Sequence, residues 1–311
     1  MFRVDDHGAY RIGIICALDL EMNAVHHIPE SEHASPPIRS EDSNIYVLGR
    51  LSGHNVVIAC LPGNQGKSAA AIAATNLSRT FPAIKYRIIV GIGGGVPNTG
   101  NDIRLGDVVV SMVTSHHGGV VQYDYGKDTE SGFLLKGFTC QPPSVLRSAV
   151  YKLKCDVQSL PPDHTPQTRL RSTSQRTQMP DKLFQADSVH QSTDQSCEQC
   201  DPTRIVPRQP RTNDVPLIFF GLVASGDRVV KSARVRDSIT ERFNHDVLCF
   251  EMEAAGLIHE FPAVAIRGIS DYADSHKNNG WQPYAEQGHF NRQVLRLDYA
   301  ESRTAEVEDA G

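Results

Sequence analysis

The β-forming stretches of this chain are apolar almost from end to end, and that property narrows the fold more than any other. Tyr10–Ala17, Arg87–Gly91, Val215–Ser225, Val247–Phe250 and Ala263–Ile269 lack the alternation of a strand with one wet face. Such strands are buried on both sides, so helices must cover the sheet above and below. The intervening segments supply them: Asp19 to about His27, Gly66 to about Arg79, Ser144–Cys155 behind Pro142-Pro143, Lys231–Phe243 and Glu253–His259. Asp107–Ser111 adds a strand, and Ile45–Leu51 pairs with Val56–Leu61 across the turn Ser52-Gly53-His54-Asn55. Strands alternating with helices predict an α/β fold of three layers, a mixed central sheet flanked by helices.

One region departs from this pattern. From Asp156 to Asp214 the chain is rich in Pro, Ser, Thr, Gln, Asp and Arg. It carries too little apolar surface to fold alone, so 156–214 is expected as a polar, partly disordered insertion within a domain spanning 8–284. Residues 285–311 follow as a C-terminal tail ending in the acidic Ala305–Gly311.

A formal charge of −5 on 311 residues argues against the broad basic face of a nucleic-acid binder. No stretch approaches the roughly 20 apolar residues of a membrane span. Acids appear early in Met1-Phe2-Arg3-Val4-Asp5-Asp6-His7, where a signal peptide would be apolar. Of seven cysteines, Cys16, Cys60 and Cys249 sit inside apolar runs, which suits a reducing compartment. The expectation is a cytoplasmic protein without nucleic-acid or membrane partners.

In open α/β sheets, ligands bind beyond the carboxyl ends of the strands. Here those ends carry Ala17-Leu18-Asp19-Leu20-Glu21, the glycine cluster Gly91-Ile92-Gly93-Gly94-Gly95, Glu251-Met252-Glu253, and Ser270-Asp271-Tyr272-Ala273-Asp274. Taken singly, each has a structural explanation: a tight strand-to-helix turn at the glycines, helix N-terminal charge at Glu251 and Glu253, an N-cap at Asp271. The glycines fail the dinucleotide pattern at Val96, and Gly66-Lys67-Ser68 fails the P-loop pattern at Leu61.

Taken in order, the motifs resemble the nucleoside phosphorylase and nucleosidase superfamily from about Tyr10 to Tyr284. Ile12–Glu21 is similar to its first strand with its glutamate. Val90–Gly95 is similar to its glycine loop, and Leu105–Ser111 to the strand that follows. Ser225-Gly226-Asp227 resembles the base-binding loop. Phe250–Ala255 and Arg267–Asp274 resemble the ribose-binding and acid motifs. Val121–Lys127, Leu183-Phe184-Gln185-Ala186, His190, Cys197, Cys200 and Arg211 further resemble a fungal subgroup often fused to nucleotide-binding immune-receptor modules. Related immune domains act as nucleotide nucleosidases.

The resemblance implies a three-layer phosphorylase-type fold and an N-glycosidase needing no cofactor. It also implies a purine nucleoside or nucleotide as the small-molecule partner, and homo-oligomeric assembly. Its implied residue roles are as follows. Asp271 is the general acid at N7 of the base, Glu253 binds the ribose hydroxyls, and Glu21 positions or deprotonates water. Met252 packs on the sugar with Glu251 beside it. Gly93 and Gly94 contribute loop backbone, and Ser225, Gly226, Arg228 and Val229 line the purine.

The phosphate site of such phosphorylases takes a Ser or Thr directly after the first loop glycine and an Arg two residues before it. This chain has Ile92 and Ile89 there. Apolar side chains do not offset the desolvation of a phosphate dianion, so water is the favoured nucleophile, with phosphorolysis as the alternative. A catalytically weak nucleotide-binding module of a signalling system is the reading outside enzymology. Nucleoside or nucleotide stays open, because Arg228, Lys231, Arg234, Arg236, Arg208 and Arg211 are either a phosphate clamp or solvated charge. Cys197-Glu198-Gln199-Cys200 with His190 has partial zinc spacing but no clear fourth ligand. Free thiols, and no metal, are the expectation.

Overall fold

A computed structural model describes residues 6–17, 21, 29–34, 41–61, 63, 65–137, 140–159, 179–191, 196–211 and 215–289. The expected helix from Asp19 to His27 falls outside these residues except at Glu21. So do 290–311 and much of the polar segment.

The strands are β1 (Ile12–Cys16), β2 (Ser31–Glu32), β3 (Ile45–Leu51), β4 (His54–Cys60), β5 (Tyr86–Gly95), β6 (Val108–Ser111), β7 (Val120–Gln122), β8 (Gly126–Thr129), β9 (Gly132–Leu135), β10 (Ile218–Ser225), β11 (Val247–Glu251) and β12 (Ala263–Asp271). The helices are α1 (Lys67–Thr80), α2 (Ser144–Ser159), α3 (Ala233–Glu241), α4 (Ala254–Ile258) and α5 (Gln282–His289). One sheet runs β11-β10-β6-β12-β5-β1-β4-β3-β2, with β7 alongside β10. β1, β4, β5 and β12 are parallel to their neighbours in the centre. β6 runs antiparallel to β12, and β3 to β4, so the sheet is mixed, as expected.

Alternate residues of β1 face opposite layers. Ile15 packs in a cluster with Ala70, Ala73 and Leu77 of α1, whereas Ile12, Ile14 and Cys16 pack in another with Leu146 and Val150 of α2. That is the physical meaning of a strand apolar at every position: helix, sheet and helix form three layers. No helix among the described residues is long and apolar enough to cross a membrane.

The glycine cluster departs from expectation. It is not a turn but the last part of β5, and none of its glycines has a positive φ. Gly94 and Gly95 pair antiparallel with Phe250 and Cys249 of β11, closing β11, β10, β6, β12 and β5 into a ring. Close approach explains the glycines. A β-carbon on Gly93 would stand 2.9 Å from the Phe250 carbonyl oxygen, on Gly94 2.7 Å from Asp271 Oδ1, and on Gly95 2.8 Å from an Ile269 methyl. One on Gly91 would collide with the Arg267 guanidinium.

The described parts of the polar segment pack on this frame. Phe184 and Ile205 form an antiparallel bridge. Arg208 pairs with Asp181 at 2.8 Å, and Arg211 with the buried Asp107 at 2.6 Å. The expected boundary at 284/285 falls inside α5, which packs on β12 and β5.

Candidate active site

The carboxyl ends of β5, β11 and β12 border a cavity of about 390 Å³. Glu21, Glu253 and Asp271 all line it, as do Met252, Glu251, Gly93, Gly94, Arg228 and Val229. Three acids distant in sequence therefore face one space.

Arg267 organises the first wall. It lies within β12, is fully buried, and donates through Nη2 to Glu251 Oε2, with Glu253 Oε2 at 3.7 Å. Its Nε and Nη1 find no hydrogen-bond partner among the described residues. Glu251 also accepts from the Glu253 amide at 3.1 Å and the Ala254 amide at 3.0 Å. Both its oxygens are thus committed to the helix start and the arginine. Glu251 lines the cavity while anchoring Arg267 and the helix start.

Glu253 stands differently. Its Oε1 accepts from the Gly66 amide at 3.2 Å, where a φ of 98° at Gly66 opens α1. Burial pushes its carboxyl from 4.5 up to about 7; Arg267 opposes the rise, and Glu251 and Glu21 add to it. Glu21 is 1% exposed and accepts from the amides of Ala17 at 2.6 Å and Ile92 at 2.9 Å. The backbone N–H that follows the first glycine therefore already binds a carboxylate, and the adjoining Ile89 is buried within the sheet.

The second wall is the turn after β12. Asp271 Oδ1 accepts from the Ala273 amide at 2.9 Å, while Oδ2 takes the Ser270 hydroxyl at 3.1 Å and Lys277 Nζ at 2.6 Å. Ala273 holds a φ of 52° to make this turn. Phe250, Val229 and Val230 supply apolar surface, and Val229 is 52% exposed at the rim.

Ser225 and Gly226 are not among the lining residues. Ser225 Oγ accepts from the Ala255 amide at 2.9 Å, and the Gly226 amide donates to the Glu251 carbonyl at 3.2 Å. They tie β10 to β11 and α4. The cations divide as well. Arg208 and Arg211 are held by carboxylates, and Arg236 donates to the Tyr272 carbonyl at 2.9 Å. Of the described lining residues only Arg228 and Lys277 are cationic, and Arg228 is exposed.

Residues 11–297 match the family described as the phosphorylase superfamily. The chain belongs to that superfamily. Membership supports the enzyme class read from the sequence, an N-glycosidase. The chain is 38% identical over 286 residues to a nucleotide-binding leucine-rich repeat (NLR)-like protein of Hyaloscypha variabilis. That match covers 89% of this chain but only 28% of the relative's length.

Three solved structures share the superfamily fold. The 5′-methylthioadenosine/S-adenosylhomocysteine nucleosidase of Neisseria meningitidis, in complex with methylthio-immucillin-A, is 19% identical with a TM-score of 0.58, covering 93% of this chain and 99% of that one. Its counterpart from Colwellia psychrerythraea, in complex with adenine, is 19% identical at 0.59, covering 94% and 95%. The futalosine hydrolase of Helicobacter pylori is 17% identical at 0.56, covering 94% and 98%.

Two residues of this superfamily member escaped assignment from sequence alone. Arg267 could have been found as an arginine set in an otherwise apolar strand, which demands buried carboxylates nearby. Lys277 carried no signal beyond its position in the turn, six residues past the acid.

Proposed function

We propose that this chain hydrolyses the N-glycosidic bond of a purine nucleoside or nucleotide. One observation carries the reading: Glu21, Glu253 and Asp271 line a single cavity, with apolar surface beside the second acid wall. The base lies against Phe250, Val229 and Val230, with N7 towards Asp271. The ribose lies over Met252, its hydroxyls donating to Glu253.

As the C1′–N9 bond breaks, the sugar gains positive charge and the base negative charge. Preorganised groups that meet both are worth most in a site that excludes water. Lys277 Nζ donates to Asp271 Oδ2 at 2.6 Å, and a proton passed to N7 through Asp271 lets the base leave neutral. Water adds to C1′ and gives its proton to Glu21, leaving free purine and ribose.

Phosphorolysis is disfavoured because Glu21 holds the Ile92 amide and no cation accompanies it at Ile89. An anion there would meet a carboxylate. The names of the solved relatives, two nucleosidases and a hydrolase, agree with water as nucleophile. The match to part of an NLR-like protein supports a role as the nucleosidase module of a larger signalling chain.

The test offers the purified chain adenosine, inosine, AMP and ATP, with and without inorganic phosphate, and follows free base by chromatography. Base release in phosphate-free buffer is expected. Release that requires phosphate would reverse the choice of nucleophile, and no release from any substrate would leave a binding module.

A further inference from the structure

The polar segment carries a second constellation, on the far side of the Asp271 turn. A cavity of about 170 Å³ is lined by Cys197, Glu198, Asp274 and His276, and it shares Ser270 and Asp271 with the acid cavity. Next to it, one ligand atom each from His190, Cys197 and Cys200 lies within 4.8 Å of the others, all three residues half-buried. Tetrahedral bonds of about 2.0–2.3 Å to nitrogen and sulfur set ligands roughly 3.4–3.8 Å apart. Closing the trio on a metal thus takes side-chain shifts of about 1 Å.

The backbone already has the shape such a site needs. Cys197-Glu198-Gln199-Cys200 is a turn closed by the Cys200 amide on the Cys197 carbonyl at 3.4 Å. Asp201 then accepts from the Thr203 amide at 2.9 Å and fixes the exit. His190 is set by its own amide, which donates to Ser275 Oγ at 3.0 Å. Its Nε2 lies 3.1 Å from the Ser196 carbonyl. A donor role for Nε2 makes Nδ1 the electron-pair donor of the ring, the arrangement metal-binding histidines use.

A further observation points to a ligand. The His276 ring is buried, stacks on Phe184 at 3.8 Å and stands edge-on to His190 at 5.5 Å. Both its nitrogens lack a hydrogen-bond partner among the described residues, an arrangement that costs free energy unless something else fills the site.

We propose that His190, Cys197 and Cys200 bind a zinc ion. The soft sulfur and imidazole donors select zinc over magnesium or calcium. The fourth ligand comes from the shared cavity: water, or the Asp274 or His276 side chain. The ion cross-links the polar segment, and with Asp274 or His276 as its fourth ligand it also clips that segment to the turn that carries Asp271 and Lys277, making it a structural element outside the chemistry. The expectation of free thiols, drawn from the missing fourth ligand in the sequence, is replaced by this reading.

The full chain is purified under reducing conditions without chelator, and its metal content is measured by mass spectrometry. About one zinc per chain is expected. Exchange for cobalt should give a thiolate-to-cobalt charge-transfer band and tetrahedral visible bands. Cys197→Ser and His190→Ala should each weaken zinc affinity by tenfold or more, whereas Cys155→Ser, at an exposed cysteine, should leave it unchanged. Zinc far below one equivalent with no cobalt band, a Cys197–Cys200 disulfide that persists in reductant, or full retention by the ligand variants would each overturn the site. The cobalt spectrum of the unmutated chain decides even if a variant fails to fold.

Discussion

The two walls of the cavity manage charge in opposite ways. On one, Glu21, Glu251 and Glu253 crowd around the guanidinium of Arg267, all of them buried. On the other, Asp271 has its own cation in Lys277. The first wall holds an excess of negative charge, and together with burial this keeps the Glu253 carboxyl near 7. A cationic sugar relieves that excess. The second wall is a balanced ion pair. The proposed reaction puts the sugar at the first wall and the base at the second.

The largest effect should come from the balanced wall. Asp271→Asn removes the proton carrier, and kcat should fall by about 10²–10⁴. Single-turnover base release measures this, with binding followed separately by equilibrium dialysis. A variant within threefold of the parent would move proton delivery to another group.

Stability should separate the walls in the other direction. Arg267→Met leaves three buried carboxylates without their cation, a loss of about 3–5 kcal/mol. Lys277→Met removes a partly exposed cation from the buried Asp271, which keeps its bonds from the Ala273 amide and Ser270 hydroxyl, so its loss should be smaller, about 1–2 kcal/mol. Urea titrations compare the two directly. Equal losses would erase the distinction between a strained wall and a balanced one.

The Glu253 carboxyl sharpens the comparison through pH. Its native pKa of about 7 lies above the ordinary 4.5, so the native state holds its proton more tightly than the unfolded chain. The associated stability is present below about pH 4.5 and is lost as pH rises through 7, with a range of up to about 3 kcal/mol. Glu253→Gln should flatten that slope and raise stability at pH 8 relative to the parent. Activity should move the opposite way: kcat/KM of the parent rises through pH 7 as the carboxylate forms, and the variant is impaired throughout. A parent stability that climbs between pH 5 and 7 would contradict this assignment.

The frame was legible in the sequence because it depends on local pattern. Strands such as Val247–Glu251 and Ala263–Asp271 are buried at every position, and their apolar runs Val247–Phe250 and Ala263–Ile266 had to be covered on both faces. The strand-end acids followed from the fold. What escaped depends on contacts between distant residues. Gly91–Gly95 has the composition of a turn, and only the approach of Phe250, Arg267 and Asp271 shows why a strand needs glycine there. Arg208 and Arg211 read as either a phosphate clamp or solvated charge, and only the fold shows that Asp181 and Asp107, distant in sequence, pair with them. The spacing of Cys197 and Cys200 was visible, but their closeness to the Asp274 turn was not.

Arg228 gives the smallest effect and bears on substrate size. It is exposed at the cavity rim, where ions screen its charge. If a 5′-phosphate leaves the cavity past it, Arg228→Ala should raise KM for AMP by about two- to fivefold at low salt. KM for adenosine should not change, and the difference should vanish at high ionic strength. Both acid walls lie deeper, so kcat should be untouched for either substrate. A parallel rise in KM for adenosine and AMP would mean that Arg228 holds the base or sugar instead of the phosphate, drawing the rim into the balanced wall.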